Sequence, residues 1–197
     1  MSKRQLLFLK TCVFILCLLP IAWLVYGVFN DQLGANPIEV VTRSLGEWGL
    51  QLLIATLCMT PIKDLLKRSW PIQLRRMLGL FSFFYLVLHL SSYLWLDQFF
   101  DWAEIWIDIK KRPFITVGVL SLLGLIPLAL TSNKWSQRSL GRKWRRLHFL
   151  VYPISILAVV HFFMLVKLDL MRPIIFAACL SLLLVYRWIK ANFEQNE

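Results

Sequence analysis

Residues 77–96 read MLGLFSFFYLVLHLSSYLWL, twenty positions with no formal charge and a single histidine, His89, in the second half. At about 1.5 Å of rise per residue, a helix of that length covers the roughly 30 Å of a hydrocarbon layer. A backbone in hydrocarbon must satisfy its own polar groups, so this stretch is predicted to be a membrane-spanning helix. Five comparable stretches surround it: Thr11 to Phe29, Trp48 to Ile62 (with Leu45 and Gly46 extending it), Pro113 to Thr131, Leu147 to Val166 and Pro173 to Trp188. The composition fits, since 58% of residues are apolar, nine are Trp and only 17% are charged, far from the balance of a soluble domain. No linker, low-complexity segment or internal repeat divides the chain. The expected fold is therefore an all-α integral membrane protein, a six-transmembrane-helix bundle forming one domain over residues 1–197.

Lys3 and Arg4 precede the first span as in a signal peptide. No small-residue cleavage site follows, however, and the apolar run continues through Trp23 and Tyr26, so the span is read as a retained helix. Pro20, Pro127 and Pro153 lie inside spans and are expected to kink them. Cys12, Cys17, Cys58 and Cys179 all fall in apolar runs without CxxC spacing, which makes them packing residues rather than a disulfide framework or a zinc site.

Charge sets the orientation. Cytoplasmic loops carry the excess of Lys and Arg, and an inward N-terminus places 16 of the 22 basic residues on that side. Both termini are thus expected in the cytoplasm. The net charge of +11 is then a topology signal, which excludes nucleic acid as the natural partner. The basic inner loop, Thr131 to Arg146, lies near anionic lipid on this reading; a flavin phosphate or a cytosolic donor protein is its alternative use. On the opposite side, Phe99, Trp102, Trp106 and Ile109 recur at helical spacing, with Asp97, Asp101, Glu104 and Asp108 on the other face. That pattern predicts an amphipathic helix at the membrane interface, or one whose acidic face docks a partner.

All three histidines lie in or at the edge of spans: His89 in the third, His148 and His161 in the fifth. Ionisable groups are costly in a membrane and are functional by default. His89 lies 13 positions after Arg76, about 20 Å deep, and His161 lies 15 positions after Arg146, about 22 Å deep. Two neutral imidazoles at one depth on facing helices make a suitable axial pair for a haem in a bundle core. His148 precedes His161 by about 20 Å along the axis and cannot share that iron. Three roles stay open for it: a packing residue, a ligand of a second haem, or a contact to flavin or quinone at the inner surface. Arg75, Arg76, Arg145 and Arg146 at that level suit haem propionates or a flavin phosphate. The eight glycines form neither GxGxxG nor a P-loop, and no catalytic constellation competes.

In order along the chain stand Leu53-Ile54-Ala55-Thr56-Leu57 with Thr60-Pro61, Arg75-Arg76-Met77-Leu78-Gly79-Leu80, and Leu88-His89-Leu90-Ser91-Ser92-Tyr93. Then come Arg112-Pro113-Phe114-Ile115-Thr116-Val117-Gly118, Leu128-Ala129-Leu130-Thr131-Ser132, Leu140-Gly141-Arg142-Lys143-Trp144-Arg145-Arg146-Leu147-His148, and finally His161. This series resembles the haem-binding membrane subunits of the periplasmic methionine sulfoxide reductase system, the MsrQ (YedZ) type, within the ferric-reductase-like transmembrane group. The resemblance implies a multi-pass protein of the bacterial inner membrane that carries haem b. It implies electrons from the quinone pool or a cytosolic flavin reductase, passed to a periplasmic molybdenum enzyme that reduces methionine sulfoxide in proteins. Flavin mononucleotide is also implied, with no residue assigned to it. The wider group places two histidines on each of two helices, holding an inner and an outer haem. Here the third span offers only His89, so the outer haem is the firmer expectation.

Two rival functions make distinct demands. A stand-alone cytochrome reducing a ferric or small acceptor needs no second protein, and a transporter or scaffold with structural histidines holds no haem. The orientation is directly testable: in a background without native cysteines, Ser132→Cys and Asp101→Cys should react with a membrane-impermeant thiol reagent from opposite sides. Labelling of both from one side would overturn the topology and the depth argument built on it.

Overall fold

The computed structural model describes residues 1–166 and 170–193. Among the described residues, six helices are long and apolar enough to cross a membrane. The order is α1 (Lys3–Phe29), α2 (Pro37–Leu66), α3 (Arg75–Ser92), α4 (Trp102–Lys111), α5 (Pro113–Leu130), α6 (Lys134–Leu140), α7 (Arg142–His148), α8 (Val151–Leu165) and α9 (Met171–Phe193).

Several helices outrun their hydropathy, and the caps explain why. α1 begins eight residues before Thr11 because Ser2 and Gln5 close a reciprocal capping box. α2 starts at Pro37, behind an Asn36 cap whose side chain accepts from the Glu39 amide, and its first turns carry Glu39, Arg43 and Glu47 on one face. The Glu39–Arg43 pair at 3.2 Å supports that polar extension. A left-handed Lys67 ends it.

Two hairpins form the centre: α2 with α3, and α5 with α8. α2 serves both. Leu45 and Leu52 pack with Leu78, Phe81 and Tyr85 of α3 and Cys17 and Leu24 of α1, whereas Leu50, Leu53, Ile54 and Leu57 meet Leu125 and Leu128 of α5 and Val151, Ile154 and Val159 of α8. α9 joins the second cluster through Leu180. Outward faces remain apolar, with Leu16, Leu120, Leu123, Ile175 and Leu182 exposed, as a lipid-facing surface requires.

The prolines act differently from one another. Pro153 sits at the third position of α8, and its ring leaves the Phe149 carbonyl without the usual fourth-residue donor. The Tyr152 amide bonds that carbonyl instead, at 3.2 Å, so the fifth span tightens at Phe149–Leu150 between α7 and α8. Beside Pro20, the hydroxyl of fully buried Tyr85 enters α1. It donates to the Cys17 carbonyl (2.7 Å) and accepts from the Ile21 amide (3.2 Å), two groups that an uninterrupted helix pairs with each other.

The expected amphipathic helix is α4, with Trp102 and Trp106 exposed. Two details of the expectation are corrected. Phe99 precedes the helix, in left-handed backbone (φ 47°) after a π-helical turn at Tyr93–Asp97. Asp108 does not join an exposed acidic face: it is 4% exposed, bonded by Tyr93 (3.1 Å) and Gln98 (3.3 Å) and paired with Arg112 (3.2 Å). The loop Thr131 to Arg146 is largely helical, as α6 and α7 turn about Gly141 at φ 50°. All four cysteines are free thiols.

Tyr85→Phe should cost only about 1 kcal/mol in a detergent unfolding titration, because the Cys17 and Ile21 groups it releases can pair with each other. Tyr85→Ala, which also opens a cavity, should cost about 3–5 kcal/mol. Equal losses in both variants would contradict the bridging geometry.

Candidate functional site

His89 projects from α3 and His161 from α8 into the space between the two hairpins, and their ring centres lie 6.2 Å apart with planes inclined at 71°. The depth count made from the sequence therefore identifies residues that the fold brings together. Each ring is fixed the same way. Nδ1 of His89 donates to the Thr42 carbonyl of α2 (2.8 Å), and Nδ1 of His161 donates to the Phe114 carbonyl of α5 (2.6 Å). A carbonyl can only accept, so both hydrogens sit on Nδ1 and both Nε2 lone pairs remain available, the arrangement in which metal-bound histidines are held.

A glycine supports each ring. A side chain at Gly46 would put its Cβ 3.1 Å from His89 Nδ1, and one at Gly118 would come within 2.8 Å of His161. Position 46 follows Thr42 by one helical turn, and position 118 follows Phe114 by the same turn. Thr42, Gly46 and His89 each have a counterpart 72 residues later in Phe114, Gly118 and His161. A second tie keeps the spacing: Ser82 donates to the Gly49 carbonyl, while Ser121 donates to the Ile154 carbonyl. The two hairpins thus repeat one another in space although their sequences show no repeat, and the histidine pair lies where the repeats face.

The cavity there measures about 560 Å³, a size that suits a cofactor, and its lining includes both histidines, Arg43 and Arg112. Two imidazoles on opposite sides of one metal, each about 2 Å from it, hold their ring centres about 6 Å apart. The residues present therefore fit a haem held between two imidazoles: ring centres at that separation, a glycine against each ring, and two arginines in the lining for acidic substituents.

At the opposite end, a second cavity of about 880 Å³ is lined by Arg75, Arg76, Arg145 and His148, together with Lys10, Lys134 and Arg187. Arg146 is exposed and is not among its lining residues. His148 is held in another manner from the His89–His161 pair. Its Nε2 lies 3.0 Å from the Thr131 hydroxyl, and its ring stacks on Trp144 at 4.0 Å. Trp144 in turn donates to the Thr131 carbonyl. By the 72-residue correspondence, the counterpart of His148 is Arg76, so this level has one histidine where the level of His89 and His161 has two.

Sequence reasoning missed Thr42, Gly46, Phe114, Gly118 and Arg187. Thr42 and Phe114 act through backbone carbonyls and Gly46 and Gly118 through a missing side chain; Phe114 and Gly118 stand in the motif series with no role attached, and the common 47-residue step from carbonyl to histidine was the other trace.

Residues 45–159 match the family model described as the ferric reductase like transmembrane component, a stretch that includes His89 and His148 and stops just short of His161. The chain is 52% identical over 183 residues to the protein-methionine-sulfoxide reductase heme-binding subunit MsrQ of Rhodospirillum rubrum, covering 92% of this chain and 88% of the relative. It is 50% identical to the MsrQ of Azospira oryzae (96% and 82% covered) and 46% identical to that of Caulobacter vibrioides (94% and 89% covered). This chain belongs to the MsrQ family. Within that family and the ferric-reductase-like group, it is a multi-pass membrane protein.

The glycine contacts make a graded prediction for any MsrQ built this way. Gly118→Ala, whose Cβ meets the His161 ring at 2.8 Å, should disturb its histidine more than Gly46→Ala, whose Cβ meets the other ring at 3.1 Å. Histidine-selective NMR of the two variants should show the larger displacement at position 161, and equal or reversed displacements would contradict the packing.

Proposed function

We propose that this chain binds haem b between His89 and His161 and relays electrons across a bacterial inner membrane to a periplasmic molybdenum-dependent methionine sulfoxide reductase. The single observation that carries the reading is the pair of Nε2-directed imidazoles 6.2 Å apart between the two hairpins. The relatives' name, heme-binding subunit of protein-methionine-sulfoxide reductase, supports the haem and a reductase partner. The basic asymmetry supports cytoplasmic termini and an outer-half position for the pair.

When bound, the haem supplies a one-electron carrier. The protein's share is to hold it. Thr42 and Phe114 carbonyls fix the tautomer and orientation of both rings and make them stronger donors. Apolar walls from Leu50, Leu86, Val119, Leu122 and Phe162 would keep water from the haem, and Arg43 and Arg112 in the lining would pair with its carboxylates. The donor, quinol or a cytosolic flavin reductase, delivers electrons from the far side. His148 is proposed to serve a redox group in the cavity of about 880 Å³, a second haem or a flavin mononucleotide, which shortens the gap to the outer pair.

The alternative reading, a cytochrome that reduces a ferric or small-molecule acceptor unaided, shares the haem site and differs only in needing no partner.

Replacing either His89 or His161 by alanine should abolish the low-spin bis-histidine absorption of the purified protein, because nothing else at that depth carries an imidazole. Retention in either variant would rule out the pairing. His148→Ala should keep that spectrum while slowing reduction from the inner side. Unchanged haem stoichiometry with normal reduction kinetics would leave His148 without a redox role.

A further inference from the structure

The arginines at the outer end of the molecule are matched with acids: Arg43 with Glu39, Arg112 with Asp108, and Arg172 with Glu47 at 2.8 Å. The inner cavity is the reverse. Six cations line it (Lys10, Arg75, Arg76, Lys134, Arg145 and Arg187), and among the described residues no carboxylate does. Positive-inside topology accounts for exposed basic loops. It does not account for guanidinium groups drawn into a helical bundle without counter-charge, where repulsion and desolvation both count against them.

Arg187 of α9 is the clearest case. One terminal nitrogen donates to the Tyr152 hydroxyl, and the other reaches the Leu57 carbonyl (3.2 Å) and the Thr60 hydroxyl (3.0 Å). Its Nε is buried with no hydrogen-bond partner among the described residues. The guanidinium also stands over the Tyr152 ring, 5.0 Å from its centre. From α3, Arg75 lines the same cavity as Tyr152 and Arg187. Leu53, Leu80, Phe83, Leu125 and Leu128 supply an apolar wall to the same cavity. A space with a cationic rim and an apolar wall suits an amphipathic molecule with an oxyanion at one end.

We propose that Arg75, Tyr152 and Arg187 form the anion anchor of the inner cavity, gripping the carboxylate or phosphate end of the planar redox cofactor that His148 serves. The anchor rests on the inner-cofactor reading given above. It adds two residues, Tyr152 and Arg187, to that site. Tyr152 acts as the positioning residue that accepts from Arg187 and fixes its guanidinium, and Arg187 presents the charge from α9.

The test uses the purified full chain in phosphatidylcholine nanodiscs, with haemin and flavin mononucleotide as separate probes. Bound haem is counted by pyridine haemochrome and flavin by quenching of its fluorescence. Arg187→Gln should weaken the inner cofactor by about tenfold or more, as expected for loss of one charge-assisted contact in a shielded site, with a smaller loss in Tyr152→Phe and partial recovery in Arg187→Lys. The outer low-spin signal should persist in all three variants, which shows that they fold. Wild-type binding of the inner cofactor by Arg187→Gln would overturn the anchor alone. A wild-type protein that takes one haem and no flavin would overturn the anchor together with the inner-cofactor reading.

Discussion

A neutral imidazole inside a membrane has one N–H that must be paired and one lone pair that is free to bind, and the core of this protein is arranged around that fact. The backbone carbonyls of a neighbouring helix are acceptors that bring no charge into the membrane. Thr42 and Phe114 provide them, and Gly46 and Gly118 one turn later remove the side chains that would hold the rings away. The close approach of α2 to α3 and of α5 to α8 follows from these contacts as much as from apolar packing. Replacing either glycine with a larger residue would push a ring off its carbonyl and strand the N–H, a cost of about 1–3 kcal/mol before any loss of cofactor.

The two levels of the bundle carry opposite electrostatics for a reason rooted in their chemistry. At the level of His89 and His161, neutral rings define the site and each arginine in the lining is paired with an acid, so the local field is nearly balanced. At the level of His148, cations line the cavity without acids among the described residues, and Arg76 stands at the position that corresponds to His148 in the other hairpin. A site of the first kind selects a metal through its lone pairs, and one of the second kind selects an anion through its charge. Electrons passing between them would move from a cationic to a more neutral environment.

The spans could be read from hydropathy because lipid exposure penalises every charged position alike. Their ends could not, because Glu39, Arg43 and Glu47 continue α2 outside the hydrocarbon, where caps and ion pairs govern instead of hydropathy. His89 and His161 were legible as a pair by counting rise from charged boundaries. Their supports were not: a carbonyl has no residue identity, and a glycine in a membrane helix looks like any small packing residue. The 72-residue correspondence between hairpins escaped notice because it survives in backbone spacing and only a few side chains. Asp108 was misjudged since helical periodicity alone treats every acid on the polar face as solvated, and it cannot see a Tyr93 hydroxyl arriving from another element.

The central claim is that the α3 and α8 histidines share one iron with their rings steeply crossed. Low-temperature electron paramagnetic resonance of the oxidised, haem-loaded protein tests it most directly, because the anisotropy of a low-spin ferric signal reports the angle between axial imidazole planes. Rings inclined as His89 and His161 are, by 71°, predict a strongly anisotropic low-spin signal. A purely high-spin spectrum, or the rhombic signal of parallel imidazoles alone, would contradict the geometry.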